Sequence, residues 1–402
     1  MKNIAIVGAG IIGRLIALSL NRQGYQVTLI DKDDKNGKQS AAYAAAGLLT
    51  PLGESLHCEK NIVDMGFESI KLWPKLLNSL EEYTFFQQQG SLMVSHEQDQ
   101  GDFIRFARHL KSNFAPRQAL TIDRQQLLEL EPEIGRSFKQ ALFLPEEGQI
   151  GNRKLMVALQ FQLSKEQVNW LDYCKVTAIE NISLPQKGCR VTYKNEQKIH
   201  QQTFDLVIDC RGAGAKEGGQ ANAALTDLRA VRGELFQLLA PDVNISRPIR
   251  LMHPRYQLYI APKGKGYYVV GATEIESDDT GPMTVRSAME LLSAAYSVHP
   301  GFAEAQIRQH VTQCRPAFSD NQPKIMVNQQ LIQVNGLYRH GYLISPVLHQ
   351  QVLALVEHFS TADTNSHCEN IPYAQLNKIS YTNEHHINKH YPNEDYTHEH
   401  IH

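Results

Sequence analysis

The sequence is poor in the features that would place a chain outside an ordinary soluble setting. Its cysteines, six in 402 residues, are scattered at Cys58, Cys174, Cys189, Cys210, Cys314 and Cys368. None forms a Cys-x-x-Cys pair, so neither a zinc site nor a disulfide framework is expected, and a reducing cytoplasm is the default. No apolar run approaches the ~18 residues of a membrane span. Forty basic against 42 acidic side chains leave a formal charge of −2, which gives no electrostatic footprint for DNA or RNA. No internal repeat is evident. The opening "MKNIAIVGAG" superficially suggests a signal peptide but lacks a cleavage site, so it is expected to be mature structure. A content of 42% hydrophobic and 20% charged residues describes a globular chain long enough for two domains with substantial cores.

Composition shifts near residue 361. The stretch 361–402 is polar, lacks apolar periodicity and is rich in His, Asn, Glu and Tyr, so it reads as an appended, flexible tail. Its histidines, His367, His385, His386, His390, His398, His400 and His402, are expected to be solvated; adventitious binding of a transition metal is the alternative. No functional metal site is assigned.

The first forty residues carry the strongest pattern. "NIAIV" is a continuous apolar run suited to a parallel strand buried on both faces. Gly8, Gly10 and Gly13 then complete G-x-G-x-x-G: one glycine for the tight turn, one for close approach of a pyrophosphate, one for helix–strand packing. A helix over "IIGRLIALSLNRQG" directs its N-terminal amides at the phosphates, and "YQVTLID" ends on Asp31, placed for a ribose hydroxyl. An acidic residue there favours FAD or NAD over NADP. An NAD dehydrogenase would continue as a regular doubly wound sheet. This chain instead enters "KQSAAYAAAGLLTPLGE", small residues that let backbone pack against a planar ring, with a helix beginning beside it as an alternative for the Ala run.

From this point the chain resembles the D-amino-acid-oxidase-type flavoproteins, particularly the glycine oxidases of thiamine biosynthesis, which carry a similar Ser/Ala-rich AAAG segment against FAD. "IDRQQLLELEPEI", "TFDLVIDCRGAGA", "AVRGELFQL", "YIAPKGKGYYVVGATEIE", "VHPGF", "CRPAFSDNQPKI" and "GLYRHGYLISP" follow in the family's order, over roughly residues 1–360. The resemblance implies non-covalent FAD held by Gly8, Gly10, Ile11, Ile12 and Gly13, by Asp31 and Lys32, and by Ser40, Ala41, Ala42, Ala45, Ala46, Gly47 and Leu48. Val176 and Gly212 would serve in mid-chain, and Tyr338, Arg339, His340, Gly341, Tyr342 and Leu343 near the end. A monomeric-sarcosine-oxidase-like covalent link through Cys314 is disfavoured, because the following Tyr-Thr of that motif is missing.

The fold implied is α/β (α+β), a Rossmann-like FAD-binding domain interleaved with a mostly antiparallel substrate sheet. Residues 1–84, 145–225 and 310–360 are expected in the first, and 85–144 and 226–309 in the second. "GSLMVS", "VRGELFQL" and a hairpin around Lys263–Gly266 are its expected strands, whereas "LIQVNG" and "PVLHQQVLALVEHF" read as the last strand and helix.

For chemistry, an arginine fork suits an α-carboxylate. Arg315, preceding Pro316, resembles the family's carboxylate clamp, although Phe318 departs from the usual Gly-Leu-Arg-Pro-Gly-Thr and puts strict glycine specificity in doubt. Tyr259 would assist, with Tyr256 as a competitor, and Arg339 is the third catalytic candidate. His253 and His340 are nearest the site but read as structural, and no general base is required if the amine binds neutral. The activity implied is oxidative deamination of a small amino acid by hydride transfer to flavin, giving an imino acid and, with oxygen, hydrogen peroxide. Alternatives are a D-amino-acid or sarcosine-type dehydrogenase with another acceptor, and a flavin-bearing assembly protein without turnover. The partners expected are thus a small amino acid and oxygen or another acceptor, with no nucleic acid and no membrane. The family often forms tetramers, so a homo-oligomer is an expectation.

Overall fold

A computed structural model describes residues 2–183, 187–217, 225–253 and 258–361. The stretch 362–402, and with it nearly all of the expected tail, lies outside the described residues, as does Tyr256.

The apolar runs assemble a six-stranded sheet in the order Lys324–Asn328, Leu331–Asn335, Leu206–Asp209, Asn3–Val7, Gln26–Ile30, Asn169–Leu171. All neighbours are parallel except the first pair. Side chains alternate across a strand, and here both sides are covered. Ile4 and Ile6 pack with Leu15, Ile16, Leu348 and Val352 of the helices Ile11–Arg22 and Gly341–Thr361, while Ala5 and Val7 pack with Val191 and Phe204. The latter belong to a three-stranded antiparallel sheet, Cys174–Ile182, Gly188–Asn195 and Lys198–Phe204. Covering on both faces is why the first strand tolerates no polar alternation.

The second large sheet has nine strands and is antiparallel but for one pairing, Ile249–Met252 with Ser91–Ser95. Its long ladder joins Arg229–Leu239 to Gln306–Ala317, and the hairpin Leu258–Pro262 with Tyr267–Gly271 continues it. Leu92, Val94, Ile260 and Val270 form its core with Leu291 and Val298 of the helix Val285–Val298. Residues 310–317 therefore lie in this sheet, not with the parallel one, because their backbone groups are committed to that ladder.

One alternative and one expectation are corrected. The Ala-rich segment is not helical: residues 41–44 are turns, followed by the strand Leu48–Leu49 and the short helix Pro51–Glu54. Ala propensity loses because tertiary donors take the carbonyls a helix would use. Asn152 Nδ2 donates to Ala42 and Tyr43 O, both at 3.1 Å, and the Tyr342 hydroxyl donates to Ala42 O at 3.1 Å. Second, the last helix starts at Gly341, five residues before Pro346, so the proline is interior. Proline removes the amide that would bond the carbonyl four residues back, here that of Tyr342. The fully buried Trp73 supplies the missing donor, its indole N–H reaching Tyr342 O at 3.1 Å.

Replacing Trp73 by Phe strands that carbonyl, at a cost of ~1–3 kcal/mol in denaturant unfolding. The loss should shrink when Pro346→Ala restores an amide at that turn. Equal losses in both backgrounds would mean that ring packing, and not the hydrogen bond, is responsible.

Candidate functional site

The glycine turn has the division of labour its spacing implies. Gly8 has φ +102°, and a Cβ there would lie 2.6 Å from Cys210 O; one on Gly13 would lie 1.9 Å from Gly8 O. A Cβ on Gly10 would meet nothing within 4 Å. Two glycines are thus demanded by the protein's own packing, while the third faces open space at the start of the helix Ile11–Arg22. Asp31 stabilises the turn by accepting the Ala9 and Asp33 amides, the latter at 2.7 Å. Burial raises its pKa, and those amides oppose the rise.

Arg14 was not anticipated. It is fully buried and donates to Ala9 O at 2.8 Å, Met156 O at 2.7 Å and Lys35 O at 2.9 Å, with its guanidinium over the Trp170 ring. Burial lowers its pKa to about 10, with Asp31 opposing. The available signal was one cation in the apolar run "IIGRLIAL", since a lone charge on a buried face must find internal partners.

A cavity of about 1130 Å³ runs from this turn to the large sheet. It is lined by Gly8, Gly10, Ile11, Ile12, Asp31 and Lys32, by Ser40, Ala41, Ala42 and Ala45 to Leu48, and by Val176, Gly212 and Tyr338 to Leu343. Tyr259 and Arg315 line it too; Gly13 does not, being packed behind the turn. The glycine turn, acidic strand end and small-residue walls fit a dinucleotide extended along one side.

Charge concentrates at the other end. Arg315 comes from the strand Gln306–Ala317 and lies across Gly233, where a Cβ would sit 2.4 Å from its guanidinium. Arg315 Nη1 donates to Thr273 O at 3.0 Å. Burial lowers its pKa, with Tyr259 opposing and Arg339 adding to the decrease. Tyr259 sits against Ala46 and Leu48, and burial raises its hydroxyl pKa. Arg339, 14% exposed, lies between two carboxylates: Nε is 2.9 Å from Glu54 Oε2 and Nη1 is 2.8 Å from Glu274 Oε2. Glu54 also pairs with Arg250, whose Nη2 donates to Thr50 Oγ1 at 2.9 Å. Burial favours protonated Glu54, but Arg250 and Arg339 outweigh it and hold the carboxyl well below the usual carboxylate range. His340 Nε2 stands 3.4 Å from Glu54 Oε2; burial lowers its pKa despite that carboxylate, which leaves a neutral ring at pH 7.

Glu54, Arg250 and Glu274 were missed as site residues. Arg250 interrupts the apolar "PIRLM", the same signal as Arg14, whereas Glu54 and Glu274 stand in polar contexts that give none. One layer out, the fully buried Glu147 accepts from the Ser91 hydroxyl and from the Gly53 amide at 2.9 Å, so it buttresses the residue next to Glu54. Burial pushes its pKa up to about 7, against the pull of these hydrogen bonds and of Arg250.

Comparison with known proteins bears on the family and the fold. A family model described as FAD dependent oxidoreductase matches residues 3–352. The putative thiamine biosynthesis oxidoreductase ThiO of Rhizobium etli is 34% identical over 349 residues, covering 87% of this chain and 94% of that protein. The glycine oxidase of Geobacillus kaustophilus is 25% identical over 375 residues, covering 90% and 94%. A crystal structure of glycine oxidase from that organism aligns with a TM-score of 0.77 at 23% identity, covering 92% of this chain and all of that one. Among the described residues no helix is long and apolar enough to cross a membrane.

Glu147 makes the fold measurably pH-dependent. Its folded pKa, about 7, exceeds the usual 4.5, so the native state binds the extra proton between those values. Stability from this group is therefore greatest below pH 4.5 and declines until the folded pKa is passed, by on the order of 3 kcal/mol. Glu147→Gln should flatten the decline in unfolding free energy measured from pH 5 to pH 8. A wild-type slope that survives the substitution would assign it elsewhere.

Proposed function

Because the chain belongs to the FAD-dependent oxidoreductase family, we propose that it oxidises a small amino acid (glycine, sarcosine or a small D-amino acid) in thiamine thiazole formation. Bound FAD supplies the two-electron acceptor for the substrate's Cα–H, leaving an imino acid and, with oxygen as final acceptor, hydrogen peroxide. The observation that carries this reading is Arg315. It is a part-buried guanidinium lining the cavity, and its hydrogen-bond partner is a neutral carbonyl. Such a cation, beside the Tyr259 hydroxyl and across from the Ala44–Leu48 wall, suits one substrate carboxylate.

The remaining residues divide the work. The glycine turn and Asp31 would hold the adenosine diphosphate half of FAD, and the small residues of 40–48 with 338–343 would hold the ring half. Arg315 and Tyr259 fix the carboxylate, which orients the Cα–H. Arg339, engaged on both sides by carboxylates, positions the wall of the site. The neutral His340 suits an amine that arrives neutral. Non-covalent FAD is supported by Cys314, whose Sγ faces the carbonyls of Ser277 at 3.7 Å and Asp279 at 3.9 Å and whose pKa burial raises. The reading places the protein in the cytoplasm.

Anaerobic glycine, sarcosine or a small D-amino acid should bleach the visible flavin band, and admitting air should produce peroxide. Failure of every one of these amines to bleach it would sink the reading. Arg315→Ala should stay yellow while KM for the amino acid rises ~10–100-fold, the worth of a charged hydrogen bond or two. Unchanged kinetics in that variant would remove Arg315 from the carboxylate.

A further inference from the structure

The charges around Arg315 form an unequal set. Two guanidinium groups, Arg250 and Arg339, face two carboxylates, Glu54 and Glu274, in one connected chain of ion pairs. Arg315 has no carboxylate within ion-pair distance among the described residues. Counted over these five side chains alone, there is one guanidinium more than there are carboxylates.

Glu274 is the member that tips this balance toward the cavity. Its Oε2 pairs with Arg339 at 2.8 Å, its Oε1 accepts the Tyr338 hydroxyl, and it lines the cavity with its side chain 46% exposed. Glu54, by contrast, is buried between its partners. Glu274 is also held in register with Arg315. The adjacent Thr273 gives its carbonyl to Arg315 at 3.0 Å, and its hydroxyl donates to the buried Glu234 Oε2 at 3.0 Å. One anchored pair of residues thus orients the surplus cation and neutralises its neighbour.

We propose that Glu274 is a specificity-determining residue that restricts the site to amino acids with one carboxylate. By pairing with Arg339 it leaves Arg315, among the three arginines named, as the one without a carboxylate partner among the described residues, and its own charge repels a second anionic group on the ligand. The proposal rests on the assignment of Arg315 to the substrate carboxylate. Without Glu274's charge, Arg339 and Arg250 share Glu54 as their carboxylate, the local balance shifts by one positive charge, and dicarboxylates gain on monocarboxylates.

The test uses the FAD-bound wild type, Glu274→Gln and Glu274→Asp. Each is titrated with acetate and malonate, following the flavin spectrum, and reduced anaerobically with sarcosine and iminodiacetate, which differ by one carboxymethyl group. Glu274→Gln should shift both preferences toward the dicarboxylate by at least ~10-fold, and Glu274→Asp should keep the wild-type ratios. Unchanged ratios in Glu274→Gln, or an equal shift in Glu274→Asp, overturn the proposal. If no amine bleaches the flavin but malonate gains on acetate, the amino-acid reading falls and the charge rule stands. If sarcosine bleaches normally and the ratios stay fixed, the reverse holds. Should Glu274→Gln lose its flavin, Glu274→Ala takes its place under the same criteria.

Discussion

The site depends on burying charge in matched pairs. A carboxylate at the position of Glu54 could not remain ionised away from water unless Arg250 and Arg339 faced it, and neither arginine would be tolerated there alone. These partners come from three distant places: the helix after the Ala-rich segment, a strand of the large sheet and the turn before the last helix. Their mutual requirement holds the glycine-turn end and the Arg315 end of the cavity in one arrangement. Such a network adds little net stability and contributes mainly geometry, because desolvation offsets most of its Coulombic gain.

The same logic governs the cofactor end. Arg14 is a buried charge and Asp31 a half-buried one, both bonded to backbone groups, and both act on Ala9, the residue between the first two glycines of the turn. The turn is therefore stiffened from within before any phosphate approaches it, which lowers the entropy lost on binding. Gly10 keeps the open side clear while Gly8 and Gly13 answer to the protein's own packing.

How much of this was legible in the sequence follows from the range of the interactions involved. The βαβ unit is local: strand, glycines, helix and Asp31 lie within about thirty residues, so periodicity and spacing disclose them. The two sheets, and the motifs now found lining one cavity, were legible through resemblance, which substitutes for long-range information. The shape of residues 41–44 was not, because Asn152 and Tyr342 override Ala's helical preference from more than a hundred residues away. Nor was the start of the last helix, since nothing near Pro346 announces that Trp73 will satisfy the carbonyl it leaves bare. Arg14 and Arg250 were visible as cations within apolar runs, but their partners were not. Glu274, in a hydrophilic stretch, had no local mark at all.

The bond from Trp73 to the Tyr342 carbonyl spans 269 positions of sequence. The turn 336–341 and the head of the last helix are therefore tied to the helix Lys60–Asn78, and Asn335 adds a second distant tie by donating to Gly212 O at 3.0 Å. Closing loops of that length costs entropy that local structure cannot repay early. The wall carrying Arg339 is thus shaped by ties to parts of the chain far from it in sequence. A flavin seated against that wall would join elements from the first eighty residues to the last helix, so that its binding and the stability of the whole fold are linked.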